Sequence, residues 1–425
     1  MDFFKKYYNV IILFFANYFM LCMHNAYYVF SAYSQTFEGL LLFGSLLFSI
    51  YFVAVAISRP LSGSIIERIG IKTSMLLACF VAVISCSAYG YLCWLDIVND
   101  GLYNGIIEAG HVLAGLSPQA YGRLLIICRI LAGFSYSLYM VGLFVALSYS
   151  TTEETRGPAT GFVTLAGFLS MSSVIPLANY FTSNPSPFGD LITGSIYYLA
   201  IGPVASIISI IFVLLLKTPN MSGKSDTADA APAQQIKWGT WKDLFGTKVL
   251  VVLCFATLFM SLADGMSGSV SDLAQKHGTD SSLYMILLSV GGIFTRFLAT
   301  LPAVKRWNLK NVLPISSMGL ATCIIILSQT PNAIAPVVFP IVGFVFGVAL
   351  GFAFPAYVQL ITDLSPSNLL PKANVAVLLS YDLGWFITNM TYAKLYEAFG
   401  NIAILGYAVV IIILCAICRQ IFSKA

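Results

Sequence analysis

Four ionisable residues lie deep within long apolar stretches of the sequence: His24, Arg129, Asp264 and Asp382. A charge in such surroundings is costly unless it meets a cavity or a partner, so each is a candidate for binding or proton transfer. A carboxylate that alternates between a cation and an apolar pocket takes up and gives back a proton as its surroundings change, which is the duty expected of Asp264 and Asp382. Arg129 can hold an anionic group or act on a carboxylate. His24, with Asn17 two turns before it and Asn25 beside it, can titrate near neutral pH or hydrogen-bond a substrate. At about 1.5 Å per residue, Asp382 falls about 15 Å into its helix, near the middle of a bilayer, and Arg129 about 9 Å from its external end. His24 and Asp264 fall in the outer half, so these two and Arg129 are expected to share an external-side cavity.

Such residues can be placed only by helices that cross a membrane. The chain has 425 residues, 58% hydrophobic and 9% charged, whereas soluble domains carry about 25% charged residues. Its net charge of +4 is spread without a basic domain, so nucleic acid is not an expected partner. Neither a Gly-X-Y nor a heptad period runs through it, and continuous apolar runs exclude a β-barrel. The runs fall at 7–30, 39–58, 73–95, 123–147, 158–181, 193–216, 248–271, 281–302, 311–329, 334–361, 372–393 and 401–419, each near the length of about 20 residues that a spanning helix needs. The expected fold class is an all-α polytopic membrane protein with twelve transmembrane helices. The first run follows Lys5 and Lys6 but is too long for a signal peptide and is read as a retained span.

The polar stretch 217–247, with its "SGKSDTADAAPAQQ", cannot pack and reads as a linker between two halves, 1–216 and 248–425. Trp238, Trp241 and Phe245 at its end suit a short helix on the bilayer surface. Segment 96–122 reads as a long external loop. With both termini cytoplasmic, the cytoplasmic side collects all of the 22 Lys and Arg except Arg123, Arg129, Lys276 and Lys394, as positive-inside topology requires. The nine cysteines all lie in apolar runs and read as small packing residues; Cys415 and Cys418 have no second ligand pair beside them, so no metal is expected.

The halves repeat. "RPLSGSIIERIGIK" from Arg59 pairs with "RFLATLPAVKRWNLK" from Arg296, matching Arg59 with Arg296, Leu61 with Leu298, Arg68 with Arg306 and Lys72 with Lys310. Gly133 pairs with Gly347 and Ser137 with Gly351. Internal repeats of this kind mark secondary transporters, with the substrate at the interface between repeats. Gly343, Gly347 and Gly351 form G-x-x-x-G-x-x-x-G, which permits close helix packing.

The segment Gly63-Ser64-Ile65-Ile66-Glu67-Arg68-Ile69-Gly70-Ile71-Lys72 resembles the signature loop between helices two and three of the major facilitator superfamily, G-x-L-a-D-r-x-G-r-[rk], with Glu for Asp and Ile71 for a basic residue. Arg129-Ile-Leu-Ala-Gly133 resembles that family's R-x-x-x-G motif, and helix five, with Gly161, Gly167 and Pro176, loosely resembles its antiporter motif. "Ser380-Tyr381-Asp382-Leu383-Gly384" is similar to a stretch in helix eleven of efflux-type members. The resemblance implies two pseudo-symmetric six-helix bundles and a conformational latch made of Gly63, Glu67, Arg68, Gly70 and Lys72 with Arg59. A weaker copy would use Arg296, Lys305 and Arg306. It also favours proton coupling for Arg129.

The leading expectation is a proton-driven secondary transporter of a bacterial inner membrane, exporting a small, partly apolar organic compound. A proton symporter importing a nutrient or organic anion, anchored by Arg129, is the alternative, and a membrane sensor the third. Sodium is left open as the coupling ion. No P-loop, H-E-x-x-H or G-x-S-x-G occurs, so neither enzymatic activity nor a cofactor is expected. A monomer suffices for alternating access.

Overall fold

Backbone N–H and C=O groups in hydrocarbon have no water to bond, so long apolar segments must close their hydrogen bonds internally as helices. The computed structural model describes residues 2–27, 41–98, 118–182, 191–217, 239–279, 281–298, 307–366 and 368–424. Lys305, Arg306, most of the linker and most of segment 96–122 lie outside the described residues, as does the side chain of Glu67. The first half contains α1 (Asp2–Ala26), α2 (Leu41–Ile69), α3 (Ile71–Val98), α4 (Pro118–Tyr149), α5 (Glu153–Thr182) and α6 (Leu191–Leu215). After the short α7 (Trp241–Gly246) come α8 (Lys248–Gly265), α9 (Val270–Lys276), α10 (Ser282–Leu298), α11 (Leu309–Gln329), α12 (Ala335–Leu364), α13 (Leu370–Phe399) and α14 (Asn401–Lys424). Each of the twelve expected spans therefore contains one long helix. Among the described residues, nine of these are by length and hydropathy able to cross a membrane; α13, carrying Lys372, Asp382, Lys394 and Glu397, is more polar.

The two halves pack alike. In the first, α4 lies on α2 and α3, α6 on α3 and α1, and α5 on α1. In the second, α12 lies on α10 and α11, α14 on α11 and α8, and α13 on α8. Between the halves, α2 meets α13 and α5 meets α10. The first of these seams is close: a Cβ on Gly63 would stand 3.4 Å from Val375.

Two local features move side chains from where sequence spacing puts them. Helix α2 runs past Arg59 and Pro60 to Ile69 and stops at Gly70, whose φ of 82° lies in the left-handed region that glycine adopts without a Cβ clash. Arg59, expected among the cytoplasmic charges, is instead a mid-helix residue. Helix α8 breaks directly after Asp264, through a 3₁₀ turn at Met266–Ser269, and the backbone there lies against α13: a Cβ on Gly265 would stand 2.9 Å from Thr388. Short 3₁₀ insertions of this kind often mark functional hinges.

Helix α7 is closed by a capping box in which Thr240 and Asp243 satisfy each other's backbone N–H. Leu244 is buried, while Trp241 and Phe245 are exposed with ring centroids 6.3 Å apart. The Gly239 N–H donates to Asn368 O at 3.0 Å, tying this segment to the turn before α13.

Small residues set the helix spacing. Gly133 of α4 faces Tyr51 O of α2, where a Cβ would come within 2.6 Å, and Gly343 of α12 faces Tyr284 O of α10 at 2.5 Å. Gly347 meets Leu288 O, and Gly351 meets Thr295, on the same seam. Gly347→Ala is expected to push α10 from α12 and destabilise by about 1–3 kcal/mol. Gly406→Ala, where a Cβ meets open space, serves as the neutral control in a thermal-denaturation comparison.

Candidate functional site

The cavity between the halves has a volume of about 130 Å³. Its wall is largely aromatic and aliphatic, and it contains His24, Arg59, Asp264 and Asp382 together with Asn17 and Asn25. Arg129 does not line it. Of the three residues expected to share an external-side cavity, His24 and Asp264 line this one and Arg129 does not; the cation in its wall is Arg59.

Arg59 and Asp382 meet across the α2–α13 seam. Arg59 Nε donates to Asp382 Oδ2 at 2.5 Å and Nη2 to Oδ1 at 3.2 Å, while Nη1 donates to Ser137 O at 3.1 Å. Both side chains are almost fully buried, and theirs is the ion pair found among the described residues. The fork geometry matches two N–H groups to two carboxylate oxygens, the strongest form of charge-assisted hydrogen bond.

The repeat of this contact lies at the other seam. Arg296 Nη1 donates to Gly351 O at 3.1 Å, and Nη2 donates to Thr164 Oγ1 of α5 at 3.0 Å. The sequence pairing of Arg59 with Arg296 and of Ser137 with Gly351 is thus reproduced in the bond from Nη1 to the carbonyl. Thr164 stands where the other seam has Asp382, so this second cross-half contact has no carboxylate.

Asp264 is held from α13. Its Oδ2 accepts from Tyr381 Oη at 2.5 Å and from Trp385 Nε1 at 2.9 Å. The Trp385 ring stacks on Phe52 of α2 at 5.5 Å between centroids. Ser261 donates to Tyr381 O, and Gly384 leaves room for Ser261 and the Leu258 carbonyl, which brings α8 and α13 together at this point. One turn of α13 therefore presents Asp382 to Arg59 and Tyr381 and Trp385 to Asp264.

On the first half, His24 Nδ1 lies 2.8 Å from Tyr51 Oη, and its ring stacks on Tyr136 at 4.5 Å. The Arg59 guanidinium lies 5.9 Å from the same Tyr136 ring. Arg129 sits among Tyr27, Tyr51 and Tyr89, its guanidinium 4.1 Å from the Tyr27 centroid and 4.7 Å from that of Tyr51, and its Nε donates to Leu47 O at 3.2 Å. Tyr51 so joins Arg129 to His24. Asn25 Nδ2 donates to Ser170 Oγ at 2.7 Å and Asn17 Nδ2 to Val163 O at 3.1 Å, both on α5.

The Major Facilitator Superfamily profile matches residues 10–389. The chain belongs to that superfamily. Solved structures with the same fold include a D-xylose–proton symporter, 16% identical over 97% of each chain with a TM-score of 0.70. Another is a proton:xylose symporter bound to 6-bromo-6-deoxy-D-glucose, 16% identical over 99% of this chain and 96% of that one, TM-score 0.73. A third is a bacterial homologue of the iron transporter ferroportin in its outward-facing state, 13% identical over 98% of each chain, TM-score 0.70. A comparison with curated proteins gives no match in sequence. The protein is accordingly an integral, multi-pass membrane protein with the superfamily's transporter fold.

The superfamily's signature loop takes a particular form here. Gly70 makes the turn between α2 and α3, and Lys72 Nζ donates to Leu214 O and Leu216 O at 2.7 and 2.9 Å, capping the end of α6. Arg68 is exposed. Arg59 and Arg296, grouped with this loop from sequence, are seam residues within the bundle. Pro176 lies inside α5. Tyr51 and Thr164 carry contacts that spacing alone does not single out, while Tyr136 and Trp385, two of many aromatics that could line a cavity by sequence, do line it; the register of the repeat sets Arg59 and Arg296 beside Ser137 and Gly351.

Removing one member of a buried ion pair strands the other, whereas replacing both leaves an apolar contact. Arg59→Met alone is expected to destabilise by about 3–5 kcal/mol, and Arg59→Met with Asp382→Leu to recover most of that loss. Denaturant unfolding of the purified variants reads both values.

Proposed function

We propose that the chain is a proton-coupled secondary transporter that exports a small, partly apolar organic compound by alternating access. The observation that carries this reading is the buried Arg59–Asp382 pair, which joins the halves in the wall of a mostly apolar cavity. When the halves separate at that seam, Asp382 loses its cation, and a carboxylate without its cation in an apolar wall takes up a proton. Re-formation of the pair expels the proton. Proton binding and rocking of the halves are thereby linked.

Residues 1–216 and 248–425 act as the two moving bodies, joined by 217–247, with both termini on the cytoplasmic face of a bacterial inner membrane. The apolar lining supports a partly apolar compound as cargo, and Pro176 in α5 with the "YDLG" turn of α13 supports export. Import of an organic anion has less support, because Arg129 is packed among tyrosines away from the cavity.

Proteoliposomes loaded with a pH dye and challenged with pooled metabolites and amphiphilic compounds test the reading. Proton flux that appears only with a compound, and runs against it, is the expected result; flux in the same direction as the compound supports import instead. In Asp382→Asn, compound exchange is expected to lose its dependence on the proton gradient, and a dependence equal to that of the unaltered protein sinks the coupling role of Asp382.

A further inference from the structure

Helix α7 has a position that the next helix forces on it. It ends at Gly246, and α8, long and apolar enough to cross a membrane, begins at Lys248 with only Thr247 between them. A spanning helix starts where hydrocarbon starts, so a short helix directly before it lies at the level of the lipid headgroups. The residues of α7 divide by face. Leu244 is buried, while Trp241 and Phe245, one turn apart and stacked on each other, are exposed. Lys242 and Lys248 are exposed beside them. The acid of this helix, Asp243, is engaged at its own N-terminus, where Oδ2 accepts from the Thr240 N–H at 2.7 Å and from the Thr240 hydroxyl at 2.8 Å. The exposed side is therefore aromatic and basic.

Charge decides what covers that side. Because successive spans alternate in direction, the starts of α8, α11 and α13 and the ends of α12 and α14 share one level. Arg419 Nε near the end of α14 donates to Asn311 Oδ1 at the start of α11, at 3.4 Å. Together with α7, these helix ends carry six lysines and arginines against Asp243 and Asp363 among the described residues. The linker sequence 217–238 has three lysines and two aspartates, so it supplies no net negative charge to pair with this edge. A second copy of the chain would present the same excess of positive charge. An apolar surface that also carries negative charge matches both the aromatic pair and the lysines, and a leaflet containing anionic phospholipid is such a surface. The same segment is tied to α13. The Gly239 N–H donates to Asn368 O at 3.0 Å, and a side chain on Gly239 would collide with the buried Leu369. From Leu370, α13 runs as one helix through Asp382, about 18 Å further on.

We propose that α7 binds anionic phospholipid in the leaflet where α8 begins, with Trp241 and Phe245 entering the boundary between headgroups and acyl chains and Lys242 and Lys248 meeting phosphate, and that this binding steadies the start of α13. In the orientation given above, that leaflet is the cytoplasmic one. The lipid contact depends on the placement of α7 beside a span and stands apart from the transport reading. Its consequence for the molecule runs through Gly239 and Asn368: a leaflet that holds α7 also holds the end of the helix that carries Asp382.

The test is hydrogen exchange of the full chain in nanodiscs of phosphatidylcholine alone, in nanodiscs of phosphatidylcholine and phosphatidylglycerol in equal parts, and in detergent. Backbone amides of 241–247 are expected to exchange about tenfold more slowly with phosphatidylglycerol than without it, and high salt is expected to remove the difference by screening. The amides of Gly239 and of the first turn of α13 are expected to slow with them. Lys242→Gln with Lys248→Gln is expected to abolish the difference between the two discs, and Trp241→Ser with Phe245→Ser to remove the protection in both. Unchanged exchange in α12 shows that each variant is folded. The lipid site is overturned by equal exchange of 241–247 in the two discs, by a phosphatidylglycerol effect undiminished in the double lysine variant, or by full protection already present in detergent, which would assign this face to a protein contact. Slowing of α7 without slowing at Gly239 and the start of α13 overturns the tie between them. Proton flux in liposomes remains the separate readout of the transport reading.

Discussion

Arg59 and Asp382 leave water together, and each ion costs several kcal/mol to desolvate even after the surroundings relax. The rest of the central structure answers that cost. Nη1 of the arginine needs Ser137 O, which α4 presents only because Gly133, one turn earlier, lets α4 approach the backbone of α2 at Tyr51. The fork needs both carboxylate oxygens, which α13 presents because Gly384 allows it to lie close to α8. Remove any of these approaches and the ions are buried without full pairing, the least favourable of the available states.

A single turn of α13 then serves two electrostatic sites with opposite requirements. Asp382 faces a cation from the other half, while Asp264 across the turn is held by two neutral donors, Tyr381 and Trp385. The stacking of Trp385 on Phe52 ties the second site to the first half without any charge. A rotation of α13 that breaks the Arg59 contact therefore also moves both donors of Asp264, and the two carboxylates do not respond independently.

The fold was largely legible in the sequence because its main determinant, apolar runs of spanning length, is local and strong; even the polar α13 was recognisable from its bounding charges. The acidic site residues were legible for a related reason: charge inside such a run is rare. Arg59 was not, because the charges after it in "RPLSGSIIER" resemble a loop, and only the positive φ of Gly70 shows that the helix continues well past it. Arg129 was visible as a buried cation, but which face of α4 it occupies depends on Tyr27, Tyr51 and Tyr89 arriving from α1, α2 and α3. Tertiary convergence of that kind leaves no trace in spacing.

The replacement of a carboxylate by Thr164 at the second seam has a mechanical meaning. Parting α5 from α10 breaks one hydrogen bond to a neutral hydroxyl, and Arg296 keeps its Gly351 carbonyl because that acceptor travels with it. Parting α2 from α13 strips a guanidinium of its counter-ion. The α2–α13 seam therefore costs more to part at its arginine than the α5–α10 seam does at Arg296, and neutralising Asp382 removes that difference.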